Sequence, residues 1–140
     1  MHEFLMFLQE QWTLVLAAVV VIALMLKGPL MRRMAGYGEV DPATAVGLIN
    51  HENAVVIDVR EHQEWAEGHV PGARHIPLGD LSKYLRELEK HKGHHVICLC
   101  RSGMRSARAA ALLKKAGYDN VYNLKGGIGA WRGAGLPVEK

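Results

Sequence analysis

Cysteine is scarce. Cys98 and Cys100 are the only two in 140 residues, and two positions apart along a strand their Cβ atoms lie beyond disulfide reach. That argues against a disulfide scaffold. No Lys/Arg cluster with interleaved aromatics appears either, and residues 32–140 carry only sixteen Lys/Arg against twelve Asp/Glu. So mild a surplus gives no electrostatic footprint for nucleic acid, and no nucleic-acid partner is expected. There is no internal repeat and no low-complexity tract. A composition of 49% hydrophobic and 22% charged residues excludes a collagen-like or disordered chain.

A further absence is local: residues 12–26 contain no charge and no amide. Fifteen residues make roughly 22 Å of helix, and counting from Phe4 to Leu26 gives about 34 Å against a hydrocarbon core of ~30 Å. Trp12 suits the headgroup belt and Lys27 can snorkel. Residues 1–31 therefore read as a membrane anchor with a single span over about residues 5–26, in contact with lipid. A cleavable signal fits less well: Glu3 and Glu10 occupy its n-region, which has no Lys or Arg, while Arg32 and Arg33 stand where cleavage is wanted. A buried core helix also fits less well, because such a helix rarely lacks any polar face. Lys27, Arg32 and Arg33 follow the span, so the expected placement is the inner membrane, N-terminus outside and the remaining chain cytoplasmic.

Lys27-Gly28-Pro29 should end the membrane helix, with residues 32–40 as a juxtamembrane linker and residues 41–140 as the domain. Asp41 before Pro42 is a cap followed by proline at the first helical position, opening a helix to about Asn50. Strands are expected over 54–59, 96–99 and 121–124, with a short one over 73–76. Helices are expected over 61–67, 81–90 and 105–116, and a helical turn over 128–132. Strands alternating with helices predict an α/β fold, a parallel sheet with helices on both faces.

The chemistry concentrates at Cys100-Arg101-Ser102-Gly103-Met104-Arg105-Ser106, between a strand and a helix. Open α/β sheets place ligands outside the carboxyl ends of their strands, where a helix N-terminus offers free N–H groups and the positive end of its dipole. A thiol aimed into such a nest is favoured as thiolate. Arg101 and Arg105 add positive charge, and Gly103 permits a tight curl. Cys98 lies inside the apolar strand and should be buried. A Cys-x-Cys metal site drawing on His91, His94 and His95 is disfavoured, since those histidines precede the strand; no metal or cofactor is expected. Gly126-Gly127 reads as a sharp turn, and His69 and Pro71 as turn residues.

Four ordered segments resemble the rhodanese sulfurtransferases: Val56 to Glu61 its early strand, Glu64-Trp65 with Gly68-His69-Val70-Pro71-Gly72-Ala73 its second motif, Cys100 to Ser106 its active-site loop, and Lys125 to Trp131 its closing Gly-Gly turn. The resemblance covers about residues 40–138, and with its anchor the layout is similar to bacterial inner-membrane rhodanese-like proteins. It implies a persulfide on Cys100, cradled by the backbone of Arg101, Ser102, Gly103, Met104 and Arg105, with Ser106 and Asp58 supporting. Asp58 would hold loop arginines or backbone, and Arg60 with Glu64 would form a structural ion pair. The implied partners are a small sulfur donor such as thiosulfate and a thiol acceptor, a protein thiol among the candidates, or cyanide. Two other functions stay open: a binding or adaptor module at the membrane with vestigial catalysis, and a cysteine phosphatase or arsenate reductase. The resemblance counts against the second, since those relatives separate cysteine and arginine by five residues and only four lie between Cys100 and Arg105.

Overall fold

The computed structural model describes the backbone of residues 1–140 and the side chains of residues 1–30 and 36–140. The chain forms two compact units, Met1–Met34 and Ala35–Lys140. In the first, α1 (His2–Glu10) and α2 (Trp12–Ala35) are separated at Gln11. Trp12–Leu30 is long and apolar enough to cross a membrane, and none of it is buried. This stretch starts later and ends later than the expected span over 5–26. Glu10 and Gln11 mark its start, and Pro29 sits inside α2 instead of ending it; an isolated proline forfeits one helical hydrogen bond without forcing the chain to turn. The orientation argument from Arg32 and Arg33 lies outside the described side chains.

The second unit is a parallel five-stranded sheet. β1 (Gly38–Val40), β2 (Val55–Asp58), β3 (Arg74–His75), β4 (His95–Leu99) and β5 (Asn120–Leu124) lie in the order β1-β5-β4-β2-β3. Helices α3 (Pro42–His51), α4 (His62–Ala66), α5 (Leu81–Leu88), α6 (Met104–Lys115) and α7 (Gly127–Gly133) connect or follow the strands. Asp41 caps α3 as its sequence predicts, its side chain accepting from the Thr44 N–H at 2.8 Å.

Strand alternation divides the core. Val96, Cys98 and, just past the strand, Cys100 pack with Leu81 and Leu88 of α5 and Ala109, Ala110 and Leu113 of α6. Ile97 and Leu99 point the other way, to Ala45 of α3 and Ile128 and Trp131 of α7. The expected layering, helices on both faces of a parallel sheet, is what these two apolar clusters describe. One segment differs. Residues 38–40, expected as part of the linker, form the edge strand β1, with Gly38 opposite Tyr122 and Val40 opposite Leu124. Val40 is buried, and a Cβ on Gly38 would stand 2.9 Å from the Tyr122 ring. A three-residue strand containing glycine has too little pattern to show itself in sequence.

Candidate active site

β4 ends at Leu99, and the chain curls through Cys100 to Gly103 into the N-terminus of α6. Gly103 makes the curl with φ +104°, a left-handed conformation that costs glycine little. Its N–H then turns onto Cys100 Sγ at 3.0 Å, and the Ser106 hydroxyl lies 3.2 Å from the same sulfur. Burial pushes the Cys100 thiol up, but hydrogen bonds from the Ser106 side chain and from the backbone N–H groups of Ser106, Gly103 and Ser102 outweigh it, so its pKa lies below the ordinary thiol value. Cys98, fully buried and without such donors, is pushed up to about 12 by desolvation. Two thiols two residues apart on one face are thus pushed in opposite directions, Cys100 toward the thiolate and Cys98 away from it.

The structure brings Gly103 and Ser106 onto the Cys100 sulfur and leaves Arg101, Ser102 and Met104 exposed, Met104 at 77%. Arg105 turns to Glu64, its two terminal nitrogens meeting the carboxylate at 2.6 and 2.9 Å. Arg105 beside Glu64 pulls that carboxyl from 4.5 down to about 2. This corrects two expectations. Asp58 does not hold a loop arginine: its fully buried carboxylate meets Arg60 at 2.8 and 3.0 Å and accepts the Arg60 N–H. Arg60 consequently pairs with Asp58 and not with the Glu64 side chain, and it bonds instead the carbonyls of Glu64 and Gly68. The pair therefore binds α4 and the turn after it to the end of β2.

Three supports take a place in the structure that the sequence did not assign them. Asn123 donates to the Gly103 carbonyl at 3.0 Å and faces the Ser106 hydroxyl. Gly127, at φ +60°, presses its α-carbon against the loop: a Cβ there would stand 2.3 Å from the Cys100 carbonyl. The next N–H, of Ile128, reaches that carbonyl at 2.8 Å. The glycine pair is thus a sharp turn, as expected, and also the floor of the cysteine loop. Third, Trp65 is stacked between His69, at 3.6 Å between centroids, and His75, at 4.7 Å. His69 Nδ1 is bonded to the Trp65 carbonyl and its Nε2 faces Glu139, so this histidine is held against Trp65 and the C-terminal segment. His95 opens β4 at the end away from Cys100, and among the described residues no group of three His, Cys, Asp or Glu could hold a metal.

A cysteine at the carboxyl end of a parallel strand, inside a nest of N–H groups, defines a class of α/β domains that present a thiol to an anion-binding loop. Within that class the chain belongs to the rhodanese-like domain family, whose model matches residues 41–134. It is 39% identical over 95 residues to the uncharacterized protein YibN of Escherichia coli (strain K12), a match covering 67% of this chain and 66% of that one. It is 36% identical over 103 residues to the thiosulfate sulfurtransferase GlpE of Actinobacillus succinogenes, covering 74% of this chain and 91% of GlpE. Among solved structures it resembles a protein of unknown function from Rhodopseudomonas palustris, named as a possible tyrosine phosphatase, with TM-score 0.69, 28% identity and coverage of 78% and 91%.

Proposed function

We propose that this protein is a membrane-anchored sulfurtransferase that carries sulfane sulfur as a Cys100 persulfide. The observation that carries the reading is the Gly103 N–H and the Ser106 hydroxyl both directed onto the Cys100 sulfur at the end of β4, contacts that favour its thiolate. In the charging step the Cys100 thiolate attacks the outer sulfur of a donor such as thiosulfate. A new S–S bond forms, the bond to the sulfonate breaks, and sulfite leaves with the electron pair. In the discharging step an acceptor thiolate or cyanide attacks the outer sulfur, and the electron pair returns to Cys100 Sγ. The loop N–H groups from Arg101 to Arg105 hold the terminal sulfur anion, and Ser106 donates to the sulfur that leaves. Because Arg105 is engaged by Glu64, the exposed Arg101 is the loop cation left to meet an anionic donor. Asp58 acts at one remove, through Arg60, by fixing the base of the site.

The resemblance to a structure named as a possible tyrosine phosphatase makes phosphate transfer the reading to test against. Four residues between Cys100 and Arg105 curl too tightly for a tetrahedral oxyanion with three bonded oxygens, Arg105 is already spent on a carboxylate, and the loop holds no carboxylic acid to protonate a leaving alkoxide. The domain spans residues 41–140 with β1 ahead of it, and Trp12–Leu30 anchors it in the inner membrane, catalytic side in the cytoplasm.

The test is mass spectrometry of the purified chain after thiosulfate. A gain of about 32 Da, one sulfur, is expected on wild type and on Cys98→Ala, and none on Cys100→Ser. Sulfur on Cys98, or Cys100-dependent turnover of aryl phosphates, overturns the reading.

A further inference from the structure

Ser106 is completely buried, and Cys100 and Asn123 are 1% and 4% exposed. The Ser106 hydroxyl faces two acceptors at once, Cys100 Sγ at 3.2 Å and Asn123 Oδ1 at 2.5 Å. A hydroxyl has one proton to give, and with all three groups buried there is no bulk water to satisfy the acceptor left out. The orientation of Asn123 is set independently. Its Nδ2 donates to the Gly103 carbonyl at 3.0 Å, and a carbonyl can only accept, so Oδ1 is obliged to face Ser106. Asn123 reaches this place because β5 runs parallel to β4 with Asn123 opposite Cys98, on the sheet face that carries both cysteines.

We propose that Asn123 is a positioning residue that competes with Cys100 for the single Ser106 proton, so that the hydroxyl points to Asn123 when the sulfur is protonated or loaded and turns to the sulfur when it is a thiolate. The inference rests on the sulfur-transfer reading and assigns Ser106 and Asn123 their part in it. With Cys100 as a thiol, the S–H can give its proton to the Ser106 oxygen while the Ser106 O–H bonds Asn123. With Cys100 as persulfide, Sγ is a neutral, weak acceptor, and the hydroxyl stays on Asn123. When an acceptor thiolate takes the outer sulfur, one S–S bond forms, one breaks, and the electron pair returns to Sγ. At that moment the hydroxyl rotates onto the new thiolate, where a charge-assisted bond is the stronger one. Stabilisation is thereby delivered as the leaving charge develops. Asn123 sets how much of it the resting thiolate enjoys, and so how nucleophilic that thiolate remains for the charging step.

The measurement is the titration of Cys100, read as thiolate absorbance near 240 nm on the full chain; Cys98, at about 12, does not interfere. Replacing Asn123 by leucine removes the competing acceptor and gives the hydroxyl wholly to the sulfur, so the Asn123→Leu midpoint is expected to fall by about half a unit to one unit. In a Ser106→Ala background the same replacement is expected to shift it little. A role confined to holding Gly103 predicts the opposite sign, since a slack loop loses N–H donors and its thiol climbs toward the ordinary value. Asn123→Asp, nearly isosteric, serves should leucine not fold: its carboxylate captures the hydroxyl, and its upward shift is expected to be larger with Ser106 present than in Ser106→Ala. A midpoint unchanged or raised by leucine, or an equal shift in both backgrounds, overturns the proposal. The titration needs no turnover, so absent sulfur transfer would count against the enzymatic reading alone.

Discussion

The lowered pKa of Cys100 rests on two contacts, the Ser106 hydroxyl on the sulfur and a left-handed glycine that turns its own N–H back onto the sulfur three residues earlier. Around it, charged residues are committed in pairs, and each pair makes a prediction. Asp58 and Arg60 are both buried, and breaking a buried pair strands a charge. Asp58→Asn is therefore expected to cost about 3–5 kcal/mol, measured by urea unfolding. Glu64, three-quarters covered beside Arg105, is a different case. Its folded pKa is depressed from 4.5 to about 2, so the stability it contributes is fully present above about 4.5 and is lost as pH falls from there toward 2. In Glu64→Gln that part of the acid-unfolding dependence is expected to disappear. The same variant frees Arg105, and the sulfur-transfer rate with thiosulfate is expected to drop about tenfold. An unchanged acid limb and rate would show the clamp to be idle.

At the scale of elements, the loop after β4 is held by what comes later in the chain. Gly127 closes on the Cys100 carbonyl where no side chain fits, whereas Gly129, two positions on, has 3.8 Å to its nearest neighbour. Gly127→Ala is expected to destabilise the domain by more than about 3 kcal/mol, combining a steric overlap with a positive φ. Gly129→Ala is expected to be neutral or slightly stabilising, as alanine is in a helix. Thermal melts of the two variants decide it, and similar losses in both would refute the close-approach argument. Much of this level was legible. The capped start of α3, the apolar strands and the alanine-rich α6 all follow local patterns, and each appears within a residue or two of its expected bounds. The edge strand β1 was not legible, because Gly38-Glu39-Val40 becomes a strand only when Tyr122 and Leu124 supply its ladder.

For the whole molecule, the anchored reading makes the environment of α2 the thing to measure. None of Trp12–Leu30 is buried, and a 19-residue apolar surface left in water invites aggregation. The full chain is expected in the membrane fraction, resistant to carbonate and released by detergent. A C-terminal reporter that works only in an oxidising compartment is expected to stay silent, while one that works in the cytoplasm reports. Recovery of the full chain in the soluble fraction, or the reverse reporter pattern, would remove the anchor or invert its orientation.

What the sequence determined by itself was whatever depends on neighbours along the chain: a charge-free apolar stretch, helix caps, strand alternation that puts Cys98 and Cys100 on one face, and a glycine placed to curl the loop. These are local preferences, readable because residues within four positions decide them. The tertiary structure decided the partners. Arg60 could have reached Glu64 but chose Asp58, because the end of β2 holds that carboxylate buried and in line. Arg105 was left to Glu64, 41 residues away in sequence. Asn123 carries no local signal and becomes part of the site only because β5 lies parallel to β4 in a register that sets it across from Cys98. Register between distant strands is fixed by the packing of both sheet faces at once, and no window of sequence contains that information.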